Sequence, residues 1–233
     1  MKKISVRDKT FLILIGIMFV IKLFDIIFSP NHIYPGRIAS FSWIEIALAF
    51  ILGYIGIRIS DKVGIPSMWD PKVSNKNRFL LPTVVGILLG VIFITFDYYA
   101  KIGNMSMGFP LSILFYLWGG IYSEAFLHLF PVTLLVFLFS SKLLKGRYNK
   151  EVYWIFSVLL GLTSAFGMVM AFSIPGVPIH ASSVYVIYSI GFLIFITELT
   201  VLYILRKYGF LSAISTRLSF YLIWHIIWPL IFY

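Results

Sequence analysis

The chain has no cysteine among its 233 residues, which excludes disulfides, thiolate metal sites and a cysteine nucleophile. Charge is almost as scarce. Only 12% of residues are charged while 60% are hydrophobic, and the mean hydropathy is +0.96. A soluble domain cannot clothe its surface with so little charge. Internal repeats and low-complexity linkers are also missing. So are a glycine-rich nucleotide loop, a serine-centred nucleophile elbow and an HExxH-type helix that would fix two histidines on one metal. The net charge of +10 does not point to nucleic acid, because the basic residues sit in short stretches between apolar blocks. That placement fits topology signals and contact with anionic lipid.

What the sequence does contain is apolar blocks of about 20 residues, the length that crosses about 30 Å of hydrocarbon as a helix. Seven are expected: Thr10–Ser29, Ala39–Ile59, Phe79–Ala100, Pro110–Ser140, Glu151–Ser173, Val184–Leu205 and Phe210–Tyr233. The fold expected is therefore an all-α transmembrane bundle, one integral membrane domain over 1–233. The first block is too long for a signal-peptide core, and no small-residue cleavage site follows it, so an uncleaved first span is expected. The long fourth block must tilt, kink or extend past the bilayer, with Pro131 as the natural kink point. Turns punctuate the chain at Ser29-Pro30-Asn31 and Ile174-Pro175-Gly176-Val177-Pro178. Gly53, Gly56, Gly86, Gly90, Gly161, Gly167 and Gly191 read as close helix packing, with Gly86-x-x-x-Gly90 a small-xxx-small contact.

Lysine and arginine set the expected orientation. Fifteen fall on one side: Lys2, Lys3, Arg7 and Lys9; Arg58, Lys62, Lys72, Lys76 and Arg78; Lys142, Lys145, Arg147 and Lys150; Arg206 and Lys207. The other side has Arg37 and Lys101 alone. This asymmetry expects a cell-membrane protein with a cytoplasmic N-terminus and an odd number of spans.

Ionisable groups inside hydrocarbon are costly and are functional candidates by default. They are Lys22, Asp25, Glu45, Asp97, Glu124, Glu198 and Arg217, with His128 and His225. Lys22 and Asp25, three apart, read as a local ion pair. Asp97, beside Tyr98 and Tyr99, reads as interfacial, and Glu45 lies near enough to the outer boundary to hydrate. Glu198 is deeper and has no partner that the sequence assigns. Glu124 and His128 are four apart in the longest span and share a helix face. That pair is either the heart of a site or a structural hydrogen-bonded pair. Glu124, His128 and His225 are three conceivable ligands for a divalent metal, although no motif fixes them together; no other cofactor is expected. His32 and His180 fall in loops.

From about residue 58 onward, three segments carry a family resemblance. One is Phe115-Tyr116-Leu117-Trp118-Gly119-Gly120-Ile121-Tyr122-Ser123-Glu124-Ala125-Phe126-Leu127-His128. Another is Leu162-Thr163-Ser164-Ala165-Phe166-Gly167-Met168-Val169-Met170, and the last is Arg206-Lys207-Tyr208-Gly209-Phe210-Leu211 through Arg217-Leu218-Ser219-Phe220-Tyr221. Together they resemble the CPBP (Abi) intramembrane proteases, which include CAAX prenyl endopeptidases and bacteriocin self-immunity proteins. The stretch 115–128 resembles a Gly-Gly block followed by Glu-Glu-x-x-x-Arg, with Ser123, Glu124 and His128 in those three places. The stretch 162–170 is similar to Phe-x-x-x-His, with Phe166 kept and Met170 replacing His. The stretch 206–221 resembles a basic-Gly-Leu turn followed by His-x-x-x-Asn/Asp, with Arg217 and Tyr221 in those places.

The resemblance implies that Glu124 activates water and that the two histidine positions help place it or stabilise an oxyanion. Here methionine and arginine stand in those positions; neither can act as a base. Arg217 could instead pair with Glu124. An alternative register places His225 at the last motif, as His225-Ile226-Ile227-Trp228-Pro229. Spacing from Gly209 favours Arg217. Depth favours His225, since at about 1.5 Å per residue Arg217 lies about 10 Å into the span and His225 about 22 Å. The resemblance thus implies a catalytically impaired member that binds a membrane peptide or protein partner, with Ser123, Phe166, Met170 and Tyr221 lining the cavity. One alternative is a working endopeptidase using Glu124 with His128 or His225. The other is a small-solute transporter or channel subunit lined by Glu124, Glu198 and Arg217.

Overall fold

The structure is a computed structural model, and it describes residues 4–28, 42–102, 108–172 and 184–232. The expected span ends Ser29, Ala39, Ser173 and Tyr233 lie outside the described residues. So do the two expected turns and Lys2, Lys3, His32, Arg37 and His180. Among the described residues every regular element is helical. Seven helices are long and apolar enough to cross a membrane: Val6–Ile27, Trp43–Val63, Lys76–Ala100, Leu111–Leu143, Asn149–Ala171, Val184–Tyr208 and Phe210–Phe232. The chain is an integral membrane protein of the all-α class expected.

The elements are α1 (Val6–Phe28), α2 (Trp43–Ser60), α3 (Leu81–Ala100), α4 (Leu111–Tyr122), α5 (Phe130–Val136), α6 (Asn149–Phe172), α7 (Val184–Tyr208), α8 (Phe210–Tyr221) and α9 (Trp228–Phe232). Four π-helical segments are spliced between them: Lys76–Leu80, Ser123–Leu129, Phe137–Leu143 and Leu222–Ile227. Three of the four end two residues before a proline, at Pro82, Pro131 and Pro229. Proline has no N–H to give, and its ring crowds the carbonyl four residues back. Widening the preceding turn by one residue relieves the clash and finds the backbone new partners, which hydrocarbon demands. Accordingly Leu81 N donates to Lys76 O, Phe130 N to Ala125 O and Trp228 N to Ile223 O, each five residues apart. Pro131 is thus accommodated by a π turn within the continuous helical run Leu111–Leu143, the fourth span.

The seventh span is the hub. Its α8 half packs against α3, α4 and α7, and 61% of its most apolar window is buried, against 11% for α6. Small residues bring the backbones together there, as expected. A Cβ on Gly86 would collide with Ser219 and the Thr216 carbonyl, and one on Gly90 with Ile223. Gly53 lies against Ala125, and Gly56 against Leu129 and Phe130. Gly167 departs from the expectation: it faces open space. The helix it sits on is peripheral, touching its neighbours along α7 and α5 only on one side.

One end of the bundle is tied by basic side chains. Arg7 pairs with Asp61 at 2.5 Å, and Arg58 pairs with Asp8 at 3.0 Å and donates to Tyr54. Arg206 donates to the Val63 carbonyl and to Asn149 at 2.5 Å, and lies over the Tyr153 ring. Arg78 is buried and donates to the Asp70 and Val73 carbonyls and to Asn75, all at 2.7 Å, which pins the connection between the second and third spans. Gly209 alone joins α7 to α8 at this end, against the Pro66 carbonyl.

Candidate functional site

Two of the ionisable residues within the spans come from one π segment. Glu124 and His128 lie in Ser123–Leu129, the turn widened ahead of Pro131, and both point into the bundle. The third and fourth come from the α7–α8 hairpin. Its turn is one residue long, so Glu198, eleven residues before Gly209, and Arg217, eight residues after it, reach similar depths of about 16 and 12 Å at about 1.5 Å per residue.

These four side chains meet. Arg217 Nε donates to Glu124 Oε1 at 2.8 Å. The other edge of the guanidinium grips Glu198 in a fork, Nη1 to Oε1 at 3.1 Å and Nη2 to Oε2 at 2.6 Å. His128 stands between the same two carboxylates, with Nδ1 3.1 Å from Glu124 Oε2 and Nε2 2.7 Å from Glu198 Oε2. At the Glu124 side the contact is close but not aligned as a hydrogen bond, and neither atom has another hydrogen-bond partner. The cluster is closed: Glu124 is 0% exposed, His128 2%, Arg217 4% and Glu198 7%.

The physical logic is charge cancellation. A lone ion in this apolar interior would cost several kcal/mol. Arg217 is a permanent cation with a planar fork of donors suited to carboxylates, and it answers both glutamates at once. A histidine with a carboxylate at each nitrogen satisfies both only as the imidazolium, which has two N–H donors. With that proton the tetrad is neutral, two negative charges against two positive.

Searches with family models, and against curated proteins and solved structures, returned no match.

The remaining expected site residues are distributed differently. Ser123 is half-buried at the start of the π segment, next to Glu124. Tyr221 is half-buried one turn beyond Arg217, whose guanidinium lies 5.9 Å from its ring centre. His225 is not part of the tetrad. It stacks on Tyr116 at 4.2 Å and 12° and touches Trp224 and Tyr221, so it belongs to an aromatic cluster farther along the seventh span. Glu124 therefore meets the Arg217 register rather than the His225 one. The expected metal set of Glu124, His128 and His225 is accordingly not gathered, and among the described residues no group of three His, Cys, Asp or Glu is arranged to hold a metal ion.

Phe166 and Met170 correct the expectation most directly. The resemblance puts them in a cavity with Glu124 and His128, but they are 65% and 51% exposed on the surface of α6. The adjoining face of that helix, at Ala165 and Val169, is the one that packs against Gly191 of α7.

The other charges within the spans are paired or hydrogen-bonded outside the tetrad. Lys22 and Asp25 pair at 2.9 Å, as their spacing implies. Glu45 accepts from the Trp118 indole at 2.9 Å. Asp97 sits in the last turn of α3 with its side chain buried: it accepts from the Trp228 indole at 2.6 Å and from Ile102 N at 3.1 Å, closing α3 and tying it to the end of the seventh span.

Proposed function

We propose that this chain is a CPBP-like membrane protein without endopeptidase turnover, acting by binding a membrane peptide or protein partner. The single observation that carries the reading is the closed pairing of Glu124 with Arg217 inside the buried tetrad. A general base must reach a water or substrate proton. The carboxylate that the resemblance casts as that base is instead shielded and held by a permanent cation. Arg217 occupies one position where the family resemblance expects histidine, and Met170, at the other, is on the exposed surface of α6. The partner-binding half of the proposal is supported by α6 itself, the least embedded span, whose outer face presents Leu162, Phe166 and Met170 around the open Gly167.

The test is cleavage of prenylated and leader-peptide substrates by the purified chain beside Glu124→Gln. Turnover of the native chain is expected to be no greater than that of Glu124→Gln. Loss of one proton-transfer group costs about 10²–10⁴ in rate and loss of one oxyanion donor about 10²–10³. Restoring both histidines, as Met170→His/Arg217→His, is expected to leave the chain inactive, because residue 170 lies outside the buried cluster. Efficient cleavage that Glu124→Gln abolishes would establish the working-protease reading instead.

A transport reading is favoured by one observation: Glu124, Glu198 and Arg217 do converge. It has less support, because a path must open to both faces, while every member of this cluster is buried.

The basic end of the bundle is proposed to face the cytoplasm. Because the chain lacks cysteine, Lys72→Cys and Lys145→Cys each give a single labelling site. Both are expected to react with an impermeant maleimide only after the membrane is opened. Labelling of position 72 in intact cells would reverse the orientation.

A further inference from the structure

At the basic end, two carboxylates are held by arginines. Asp61 is held by Arg7, and Asp8 by Arg58. Lys62 and Lys142 are left without a carboxylate among the described residues, yet the two ammonium groups converge on one ring. They lie 5.5 and 5.4 Å from the centre of Phe137. Lys62 is at the end of the second span and Lys142 at the end of the fourth, one brought in by the short helix Asp61–Val63 and the other by the π segment Phe137–Leu143. Both are exposed. Two like charges drawn to one aromatic ring repel each other, and a shared anion relieves that repulsion. Beside them the same π segment presents an exposed apolar surface: Leu138, Phe139 and Leu143, the last 70% exposed.

We propose that Lys62, Lys142 and Phe137 form a seat for the phosphate of an anionic phospholipid, with its acyl chains lying along Leu138 and Phe139. The position of both lysines at span ends places the charge at headgroup depth, with exposed Leu138 and Phe139 deeper along the fourth span. That arrangement fits a lipid rather than an acidic protein segment, which would need the charge without the stripe. The site is separate from the buried tetrad and stands whether or not the chain has any peptidase activity.

The experiment is native mass spectrometry of the full chain in neutral detergent, titrated with phosphatidylglycerol or phosphatidylcholine. Each lysine near the surface contributes about fivefold to anionic-lipid affinity, so the pair is expected to give a preference of about 30-fold for phosphatidylglycerol. Lys62→Gln/Lys142→Gln should remove most of it. Lys145→Gln/Lys150→Gln, which deletes the same charge from the neighbouring exposed stretch, should change it less than about twofold. Thermal unfolding without added lipid checks that both variants are folded. Equal loss in the two double variants would show diffuse attraction and overturn the site, as would the lack of any preference in the native chain. Displacement of the lipid by equimolar inorganic phosphate, or by a polyglutamate peptide, would also overturn it by assigning the lysines to a free anion or a protein partner.

Discussion

Arg217→Met is expected to destabilise the chain by about 3–5 kcal/mol, because it leaves the buried carboxylates of Glu124 and Glu198 with His128 alone between them, two negative charges against at most one positive. Few single changes in this molecule should cost as much. The loss does not measure what the tetrad contributes relative to an apolar core. Burying the four groups already carries a desolvation penalty that their attraction only repays. The triple variant Glu124→Gln/Glu198→Gln/Arg217→Met should therefore recover most of the loss, since it removes both carboxylates along with the guanidinium and leaves His128 free to be neutral. Unfolding in detergent, followed by circular dichroism with denaturant or heat, reads both values. A loss below about 1 kcal/mol for Arg217→Met would mean that the carboxylates find water or protons, and that the cluster is not sealed as described. A triple variant as unstable as the single one would mean that the tetrad is a net stabilising feature of this fold.

The spans were legible because hydrocarbon thickness imposes a length, and the apolar blocks carry that length in the sequence. The π segments were half legible. Pro82, Pro131 and Pro229 mark where a helix must adjust, but whether it kinks or widens a turn depends on the neighbours, which a local pattern does not contain. Within the site, Glu124 and His128 could be paired from their spacing alone. Glu198 could not be given a partner by inspecting its own helix. Its partner follows from the hairpin: a one-residue turn at Gly209 makes positions similarly distant on either side meet at one depth, and that count brings Glu198 to Arg217. The same count also settles where Arg217 stands relative to His225, eight residues farther on. The rotation of α6 was not legible. An apolar helix in a membrane has two apolar faces, so hydrophobicity cannot say whether Phe166 and Met170 or Ala165 and Val169 turn inward.

Gly209→Ala is the other large effect expected. Gly209 has φ +89° and ψ −178°, a backbone region open in practice to glycine alone, and occupying it with a side chain costs about 1–3 kcal/mol. A steric conflict adds to that strain. The new Cβ would stand 2.6 Å from the Pro66 carbonyl oxygen, which is backbone and cannot rotate away. Gly64 provides the control. It too has a positive φ, +76°, but in the ordinary left-handed region, and the nearest atoms to its Cβ position are the Arg206 guanidinium tips at 3.6 Å and beyond. Gly64→Ala should therefore cost about 1 kcal/mol and Gly209→Ala about 2 kcal/mol more. The excess reaches the buried site, because the turn sets the relative depth of Glu198 and Arg217. Relaxing the clash slides α8 against α7 and lengthens the guanidinium–carboxylate contacts. Gly209→Ala and Arg217→Met should then be non-additive by about 0.5–3 kcal/mol, the double variant losing less than the two single losses combined. Strict additivity in the same unfolding measurement would confine the effect of Gly209 to its own turn and separate it from the tetrad.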